Sequence, residues 1–291
     1  MEPPRKFSGR LRTLLFIPSG NDRFIDKALE MKDKPDAIIL DLEDSIQKKK
    51  KDEARIALSD SVKKLSVFPI IVRVNNAKSI HFKKDIEQAV INRVTAIQVP
   101  KVDSPELVRS VSTKITVLEK ARGVTKNSIS LIPMIESASA VMSVSQIARS
   151  SARVVALAFG SGDYALDLGL PWTKEGLEYE APRMIIPIVA KASELFAIDG
   201  VFMDLDDTNS FMKDSTRSRR LGYQGRMVVH PDQVKIANLA YLPSREEVRW
   251  AIKVDRAYRN AISRDIGAIK VDGLLVDELH YKLAKRILSS T

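Results

Sequence analysis

Short apolar runs alternate with longer segments whose apolar positions repeat at helical spacing through most of this chain. Runs bounded by turn residues predict buried parallel strands, and the segments between them predict helices. Eight strands are predicted at 13–17, 36–40, 69–75, 96–101, 130–135, 154–159, 200–203 and 225–229. The main helices between them are predicted at 21–32, 51–65, 80–91, 104–122, 138–149, 179–196 and 211–221.

This order predicts an α/β fold, a (β/α)₈ TIM barrel, since eight strand and helix pairs over roughly 250 residues are typical of it. An open doubly wound sheet would favour a glycine-rich dinucleotide loop after the first strand, and Pro18–Asn21 is not one. We expect the barrel to occupy residues 1–238 as the catalytic domain. Residues 239–291 should form a C-terminal extension with a helix over 244–263, a hairpin around Asp272-Gly273 and a last helix.

Two neighbouring strands end abruptly in acidic residues. The strand at 130–135 is followed by Glu136, and the strand at 154–159 is followed by Gly160-Ser161-Gly162-Asp163. Because a strand–helix–strand unit brings both strand ends to one rim, the two carboxylates should lie close together. Such oxygen ligands suit a hard cation such as Mg²⁺, with water and substrate oxygens completing the site.

Other polar residues follow the remaining strand ends and should meet on the same face of a barrel. They are Asp41, Glu43, Asp44, Arg73, Asn75, Lys101, Asp204, Asp206, Asp207 and His230. Any single carboxylate could instead cap a helix, and Asp44 and Asp206 are candidates for that role. Arg73 could pair with Asp41 or Glu43, or bind a substrate oxygen. His230 could be a base or a structural residue.

Composition removes several classes of protein. The 291 residues contain no cysteine, which excludes disulfides and thiolate metal sites. No apolar run approaches a membrane span, and Met1–Gly9 lacks the apolar core of a secretory signal, so we expect a soluble cytoplasmic protein. The net charge of +10 and pI near 9.6 fit an anionic partner. Nucleic acid is not favoured, because the basic residues are spread out and Lys48–Lys51 reads as a solvated turn.

The ordered motifs together resemble the citrate lyase β-subunit-like branch of the HpcH/HpaI aldolase superfamily, which includes malyl-CoA and citramalyl-CoA lyases. The motifs that carry the resemblance are RTLLFIP at 12–18, DAIILDLEDS at 36–45, KDEAR at 51–55, VRVN at 72–75, VPK at 99–101, IESA at 135–138, FGSGDY at 159–164, GYQGR at 222–226, VHPDQ at 229–233 and DGLLVD at 272–277. In this order they span most of the chain.

The resemblance implies a Mg²⁺-dependent carbon–carbon lyase that acts reversibly on a 3-hydroxyacyl-CoA thioester such as malyl-CoA or citramalyl-CoA, giving acetyl-CoA plus glyoxylate or pyruvate. It implies that Glu136 and Asp163 bind the metal and Arg73 the substrate. It further implies that Asp277 is the acid/base of a C-terminal segment that covers the active site of an adjacent subunit in a homotrimer.

The other site assignments are candidates. Arg12, Lys51 and Arg55 are candidates for the phosphates of CoA. Three acidic residues could contact the binding side chains and hold them in place: Asp41, Glu43 and Asp44. Two departures from the family pattern are Ser19, where glycine is usual, and Glu278, where proline is common.

Two alternative functions stay open. The chain could be a citrate lyase β subunit that cleaves a citryl group on an acyl-carrier protein. It could also be a non-catalytic basic barrel that binds nucleic acid.

Overall fold

The computed structural model describes residues 10–171, 173 and 176–290. Contacts within the chain divide it into two compact units, Met1–Asn238 and Leu239–Thr291. No helix among the described residues is long and apolar enough to cross a membrane.

Eight parallel strands form a closed barrel in the order of the sequence, so the predicted TIM-barrel fold is confirmed. The first strand pairs with the second and the last, which closes the barrel. The strands are β1 (Thr13–Pro18), β2 (Ala37–Asp41), β3 (Ile70–Arg73), β4 (Val94–Val99), β5 (Ser130–Ile135), β6 (Ala156–Phe159), β7 (Phe196–Asp199) and β8 (Gly225–Val228).

Helices follow the strands on the outside of the barrel. They are α1 (Asp22–Glu30), α2 (Lys51–Ile56), α3 (Leu58–Lys64), α4 (Phe82–Ala89), α5 (Pro105–Arg122), α6 (Ala138–Met142), α7 (Val144–Ala148), α8 (Ser161–Asp167), α9 (Glu180–Ala192), α10 (Thr208–Leu221) and α11 (Pro231–Ala240). Two segments predicted as single helices, 51–65 and 138–149, are each divided into two. Ser104 and Ser137 cap α5 and α6 through their side chains, because each hydroxyl accepts an otherwise unpaired backbone N–H.

Side chains alternate in direction along each strand, so that apolar side chains fill the barrel and charged side chains lie at its mouth. Ile39, Ile71 and Met134 belong to one buried core cluster. Side chains two positions apart on a strand point to the same face. Asp41 and Arg73 follow Ile39 and Ile71 at this spacing, and Glu136 follows Met134. The strand pattern therefore places these three charged groups above the apolar core.

The seventh strand differs from its prediction. It was expected at 200–203, but β7 spans Phe196–Asp199 and the expected run has no strand structure. The predicted helix at 179–196 included the first residue of this strand, and the charged Asp199 was left out of the predicted strand. Asp199 is buried, and its carboxylate accepts hydrogen bonds from Arg183 at 2.6 and 3.0 Å.

The second unit has its own small core. It contains α12 (Arg245–Ile262), the hairpin strands β9 (Ile269–Val271) and β10 (Leu274–Val276), and α13 (Glu278–Ser289). Buried Val254, Tyr258 and Ala284 form its centre. The hairpin turn is at Asp272-Gly273 as predicted, with both residues at positive φ, which is the conformation that a tight hairpin turn requires.

A buried ion pair joins α5 to the turn before β6. Glu119 accepts two hydrogen bonds from Arg153, at 2.6 and 2.9 Å, and two more from backbone N–H groups. Glu119→Ala should lower the free energy of unfolding in urea by about 3–5 kcal/mol, because it strands a buried guanidinium. Glu106→Ala, on the exposed side of the same helix, should cost less than about 1 kcal/mol. Equal losses in the two variants would contradict this assignment.

Candidate active site

The two carboxylates predicted as metal ligands lie together at the C-terminal rim of the barrel. Glu136 directly follows β5 and is buried, and Asp163 lies in the first turn of α8. Lys101, just beyond β4, joins them: its backbone N–H donates to Glu136 Oε1 at 2.5 Å, and its ammonium lies 2.9 Å from Asp163 Oδ1. Lys101 takes a positive φ of 51°, an unusual conformation for a side-chain-bearing residue, at the point where both contacts are made.

Burial, and next the nearby charge of Asp163, raise the pKa of Glu136 to about 7. The Lys101 backbone and the charges of Arg73 and Lys101 act in the opposite direction. A buried carboxylate close to a second one is costly to ionise without a cation. The pair therefore forms a strongly negative position that a cation would stabilise.

Gly160 makes room for the Glu136 carboxylate. A Cβ at position 160 would lie 2.2 Å from Glu136 Oε2 and 2.6 Å from its Cβ. The backbone of Gly160 is not left-handed, so its lack of a side chain serves this close approach. Sequence reasoning missed this role, although the glycine at the end of an apolar strand was the available signal.

The donor set at this position fits Mg²⁺. Two carboxylates supply hard oxygen ligands, and the space beside Gly160 leaves Glu136 Oε2 clear of a neighbouring side chain. Within the described part of the chain, no three acidic, histidine or cysteine side chains form a complete metal cage. A magnesium ion held here would thus rely on water and substrate for its other ligands, which is its usual mode of binding.

Arg73 occupies the barrel mouth among acidic groups. Its Nε and Nη2 each donate to Asp41 at 2.7 Å, and its guanidinium lies 4.5 Å from the Phe16 ring centre. Its Nη1 has longer contacts, 3.4 Å to Glu43 and 3.3 Å to Asp44. Asp41 therefore fixes the plane of the guanidinium, while Nη1 keeps the weaker contacts.

The acidic neighbours of Arg73 titrate differently. Burial would raise the pKa of Asp41, but the charge and hydrogen bonds of Arg73 outweigh it and hold that pKa below its usual value. Burial raises the pKa of Glu43 to about 8, although Arg73 opposes the shift. Surrounding carboxylates keep the pKa of Arg73 above its usual value despite burial. Arg73 is thus a permanent cation at the mouth, with the firmly ionised carboxylate of Asp41 beside it.

Two of the three predicted phosphate-binding cations are committed to internal contacts. Lys51 is buried and donates to the backbone carbonyls of Leu42 and Glu43 at 2.8 and 2.6 Å. The other lysines of the run, Lys48–Lys50, are exposed. Arg55 is also buried and donates to Asp85 at 2.7 Å.

Sequence reasoning missed Asp85, which links Arg55 to the end of β3. Asp85 accepts from the backbone and side-chain N–H groups of Asn75 at 2.9 and 2.6 Å, and Asn75 also donates to the Leu42 carbonyl. The available signal was an acid beside Ile86 and Ala89 on the apolar face of α4. The network fixes the loops after β2 and β3.

Arg12 is not brought to this rim. It precedes β1, whereas the rim lies beyond the strand ends, and it pairs with Asp36 at the start of β2. Parallel strands place the residue before a strand and the residue after it at opposite ends of a barrel. The structure thus places Arg12 at the opposite end of the barrel from Glu136.

The remaining candidates make local contacts. Asp207 caps α10, and Asp204 accepts from the backbone of Asp206 and Asp207, so these acids stabilise a turn. His230 lies 3.5 Å from Asp232. In the second unit, Asp277 caps α13, and a hydrogen bond with His280 is the main cause of its lowered pKa.

Lys101 lines two of the cavities at this rim. One of about 540 Å³ contains Glu136 and Asp163 in its wall. The other, of about 700 Å³, contains Glu43, Asp44, Lys51 and Asn75. The pair of acids therefore faces a space large enough for a small acidic substrate, and the wall of the second cavity includes Glu43 and Asp44, which contact Arg73.

The chain is thus a TIM barrel with a cluster of acidic and basic side chains at its C-terminal rim. Residues 12–231 match the HpcH/HpaI aldolase/citrate lyase family, and the chain belongs to that family. The protein is accordingly an enzyme of the lyase type that this family contains.

Individual relatives cover nearly the whole chain. The citrate lyase subunit beta of Leuconostoc mesenteroides subsp. cremoris is 28% identical over 279 residues, 95% of this chain and 92% of that protein. The mitochondrial citramalyl-CoA lyase of Homo sapiens is 28% identical over 278 residues, 91% and 81% of the two chains. The structure of protein CitE from Mycobacterium tuberculosis, in complex with magnesium, acetoacetate and coenzyme A, shares the fold with a TM-score of 0.79, at 23% identity over 97% of this chain and 98% of that one.

Gly160→Ala should disturb the site and the stability together. The added methyl must displace the buried Glu136 side chain, so we expect the free energy of unfolding to fall by about 1–3 kcal/mol in a urea titration. Gly267→Ala is the control, because its Cβ would meet no atom within 4 Å. A Gly160→Ala protein as stable as the Gly267→Ala protein would show that Glu136 moves aside freely.

Proposed function

We propose that the protein is a Mg²⁺-dependent carbon–carbon lyase that cleaves and forms a 3-hydroxyacyl-CoA thioester such as malyl-CoA or citramalyl-CoA. The products of cleavage would be acetyl-CoA and glyoxylate or pyruvate. The observation that carries the proposal is the pairing of buried Glu136 with Asp163 through Lys101, beside a cavity of about 540 Å³. The relatives named as lyases of citrate or citramalyl-CoA support the same reaction class.

Glu136 and Asp163 would hold the metal ion at the rim. When bound, Mg²⁺ would supply positive charge to the oxygens of the oxo-acid half of the substrate. The Lys101 backbone N–H would keep Glu136 in place through Oε1, and Gly160 would keep Oε2 clear. Binding of magnesium by a structural neighbour supports this assignment.

Arg73 would stabilise the thioester half. When the carbon–carbon bond breaks, its electron pair moves onto the thioester, whose oxygen becomes an enolate oxygen. A guanidinium already oriented by Asp41 could donate to that oxygen through Nη1, and the donation strengthens as negative charge develops. Asp41 would thus be a positioning residue for Arg73, with Glu43 and Asp44 nearby.

Asp277 would complete the proton balance. In cleavage, the substrate hydroxyl becomes the carbonyl of the oxo acid and loses its proton to water, while Asp277 delivers a proton to the enolate carbon to give the methyl group of acetyl-CoA. In the reverse direction Asp277 removes that proton. We propose that the C-terminal extension brings Asp277 to the active site of an adjacent subunit in a homotrimer.

A second candidate is a citrate lyase β subunit that acts on a citryl group carried by an acyl-carrier protein. The similarity to citrate lyase subunit beta of Leuconostoc favours it. The two candidates share the metal site and differ in what carries the thioester. Incubation of the enzyme with citryl-CoA and with citryl-acyl-carrier protein separates them, since a carrier-dependent enzyme should turn over only the second.

Release of acetyl-CoA from malyl-CoA and citramalyl-CoA should require Mg²⁺ and both proposed functional groups. Glu136→Ala should abolish the response to Mg²⁺, and Asp277→Ala should lower kcat by about 10²–10⁴-fold because a proton-transfer group is lost. Asp272→Ala, a nearby exposed acid on the hairpin, is the control and should keep wild-type turnover. A folded, Mg²⁺-supplied wild type that turns over neither ester nor the carrier-bound substrate would refute the lyase proposal.

Mixed oligomers test whether Asp277 acts on another subunit. Glu136→Ala and Asp277→Ala chains are each expected to be inactive, but a mixed trimer contains some sites with both groups intact. Co-expression with two different affinity tags isolates such oligomers, and partial recovery of turnover is expected. Verified mixed oligomers without any recovery would show that each subunit uses its own Asp277.

A further inference from the structure

Asp277 is not an isolated carboxylate, because three donors converge on one of its oxygens. Its Oδ1 accepts from the backbone N–H groups of Leu279 at 3.0 Å and His280 at 3.4 Å, and it lies 2.7 Å from His280 Nδ1. Among the described residues, Oδ2 accepts no hydrogen bond. The two carboxylate oxygens are thus in different environments: one is fully engaged and the other is available.

The chemistry of the pair decides which group donates. The backbone N–H of Asp277 lies 3.4 Å from His280 Nδ1, so Nδ1 would be an acceptor if that contact governed its protonation. An ionised carboxylate can only accept, however, and its contact with Nδ1 is much shorter at 2.7 Å. Charge-assisted hydrogen bonds are the shorter and stronger ones, so Nδ1 carries a proton and donates to Oδ1.

The surroundings keep this pair open to a ligand. The side chains of Asp277 and His280 are 44% and 36% exposed. Glu278, which comes between them, pairs instead with Lys282 at 2.8 Å. The reciprocal contacts at the start of α13 therefore orient Asp277 without covering it, which is unlike the fully buried ion pairs of the barrel.

We propose that His280 is a positioning residue for Asp277: its Nδ1–H holds Oδ1 in place and leaves Oδ2 as the atom that exchanges a proton with the substrate carbon. This role rests on the proposed function of Asp277 as the acid/base. Ordinary capping needs only an acceptor side chain at the first position of the helix, which Asp277 alone provides. A histidine at the third position adds a donor that capping does not require.

Two substitutions separate the positioning role from a purely structural one. His280→Leu removes the donor and keeps a side chain of similar reach, whereas His280→Asn keeps an N–H donor close to the position of Nδ1. We expect His280→Leu to lower kcat by at least about tenfold with little change in KM, because a carboxylate held by the two backbone N–H groups alone is less well oriented for proton transfer. His280→Asn should recover most of this loss. Glu278→Gln is the matched control and should behave as the wild type.

A spectroscopic arm tests the pair without turnover. The chain has three histidines, so the ring nitrogen signals of His280 in a ¹⁵N NMR spectrum are identified by their absence in His280→Asn. The wild type should show a protonated Nδ1, and Asp277→Asn should weaken or remove that preference.

The outcomes distinguish the two proposals. An unprotonated Nδ1, or wild-type kcat in His280→Leu, would overturn the positioning role while leaving the lyase reaction intact. No turnover by the wild type would overturn the proposed function, and with it the catalytic part of this inference.

Discussion

The site depends on one constraint: charged side chains must be stabilised next to the apolar core at the mouth of the barrel. Arg73 stands above Ile71 and beside the Phe16 ring, where an unpaired guanidinium would be costly. Two hydrogen bonds that Arg73 donates to Asp41 offset that cost and fix the direction of the guanidinium at the same time. Stabilisation of the fold and orientation of a functional side chain are here the same interaction.

The acids on the other side of the mouth differ in how far their charge is neutralised within the chain. Glu136 has a backbone N–H and a distant cation as partners, which are too little to offset burial, and its pKa is raised accordingly. Arg73 is satisfied within the chain, whereas Glu136 and Asp163 are left with capacity for a further positive charge. This difference distinguishes the Arg73–Asp41 pair, which is neutralised within the chain, from the two acids that we propose bind the metal.

The sequence was informative where local patterns decide the outcome. The apolar strand before Glu136 and the cap at Ser137 could be predicted because each depends on neighbouring residues. The position of β7 could not be predicted in this way, because its terminal acid is satisfied by Arg183, a residue on a different helix. Arg12 lies before β1, and a residue before a strand lies at the end of a parallel barrel opposite the rim that contains Glu136.

The roles of Lys51 and Arg55 depend on contacts that no local pattern reveals. Both precede the third strand on a segment that reads as an exposed amphipathic helix, yet one donates to the loop after β2 and the other to Asp85, thirty positions further along the chain. Basic residues near a rim are therefore poor evidence for phosphate binding until their partners are known. Asp277 and His280 contrast with them, since their spacing on one helix turn is visible in the sequence.

Closure of the barrel has a consequence for how the chain folds. Thr13 of the first strand pairs with Arg226 of the last, and its hydroxyl contacts Asn238 at 2.9 Å, 225 positions away. During synthesis β1 therefore emerges long before its second neighbour, and its edge stays unpaired until nearly the whole barrel sequence is available. Such late, long-range pairing slows folding and leaves a strand edge open to other chains in the meantime. The open edge of β1 must therefore be protected from other chains early in folding, although the closed barrel of the folded enzyme no longer shows this need.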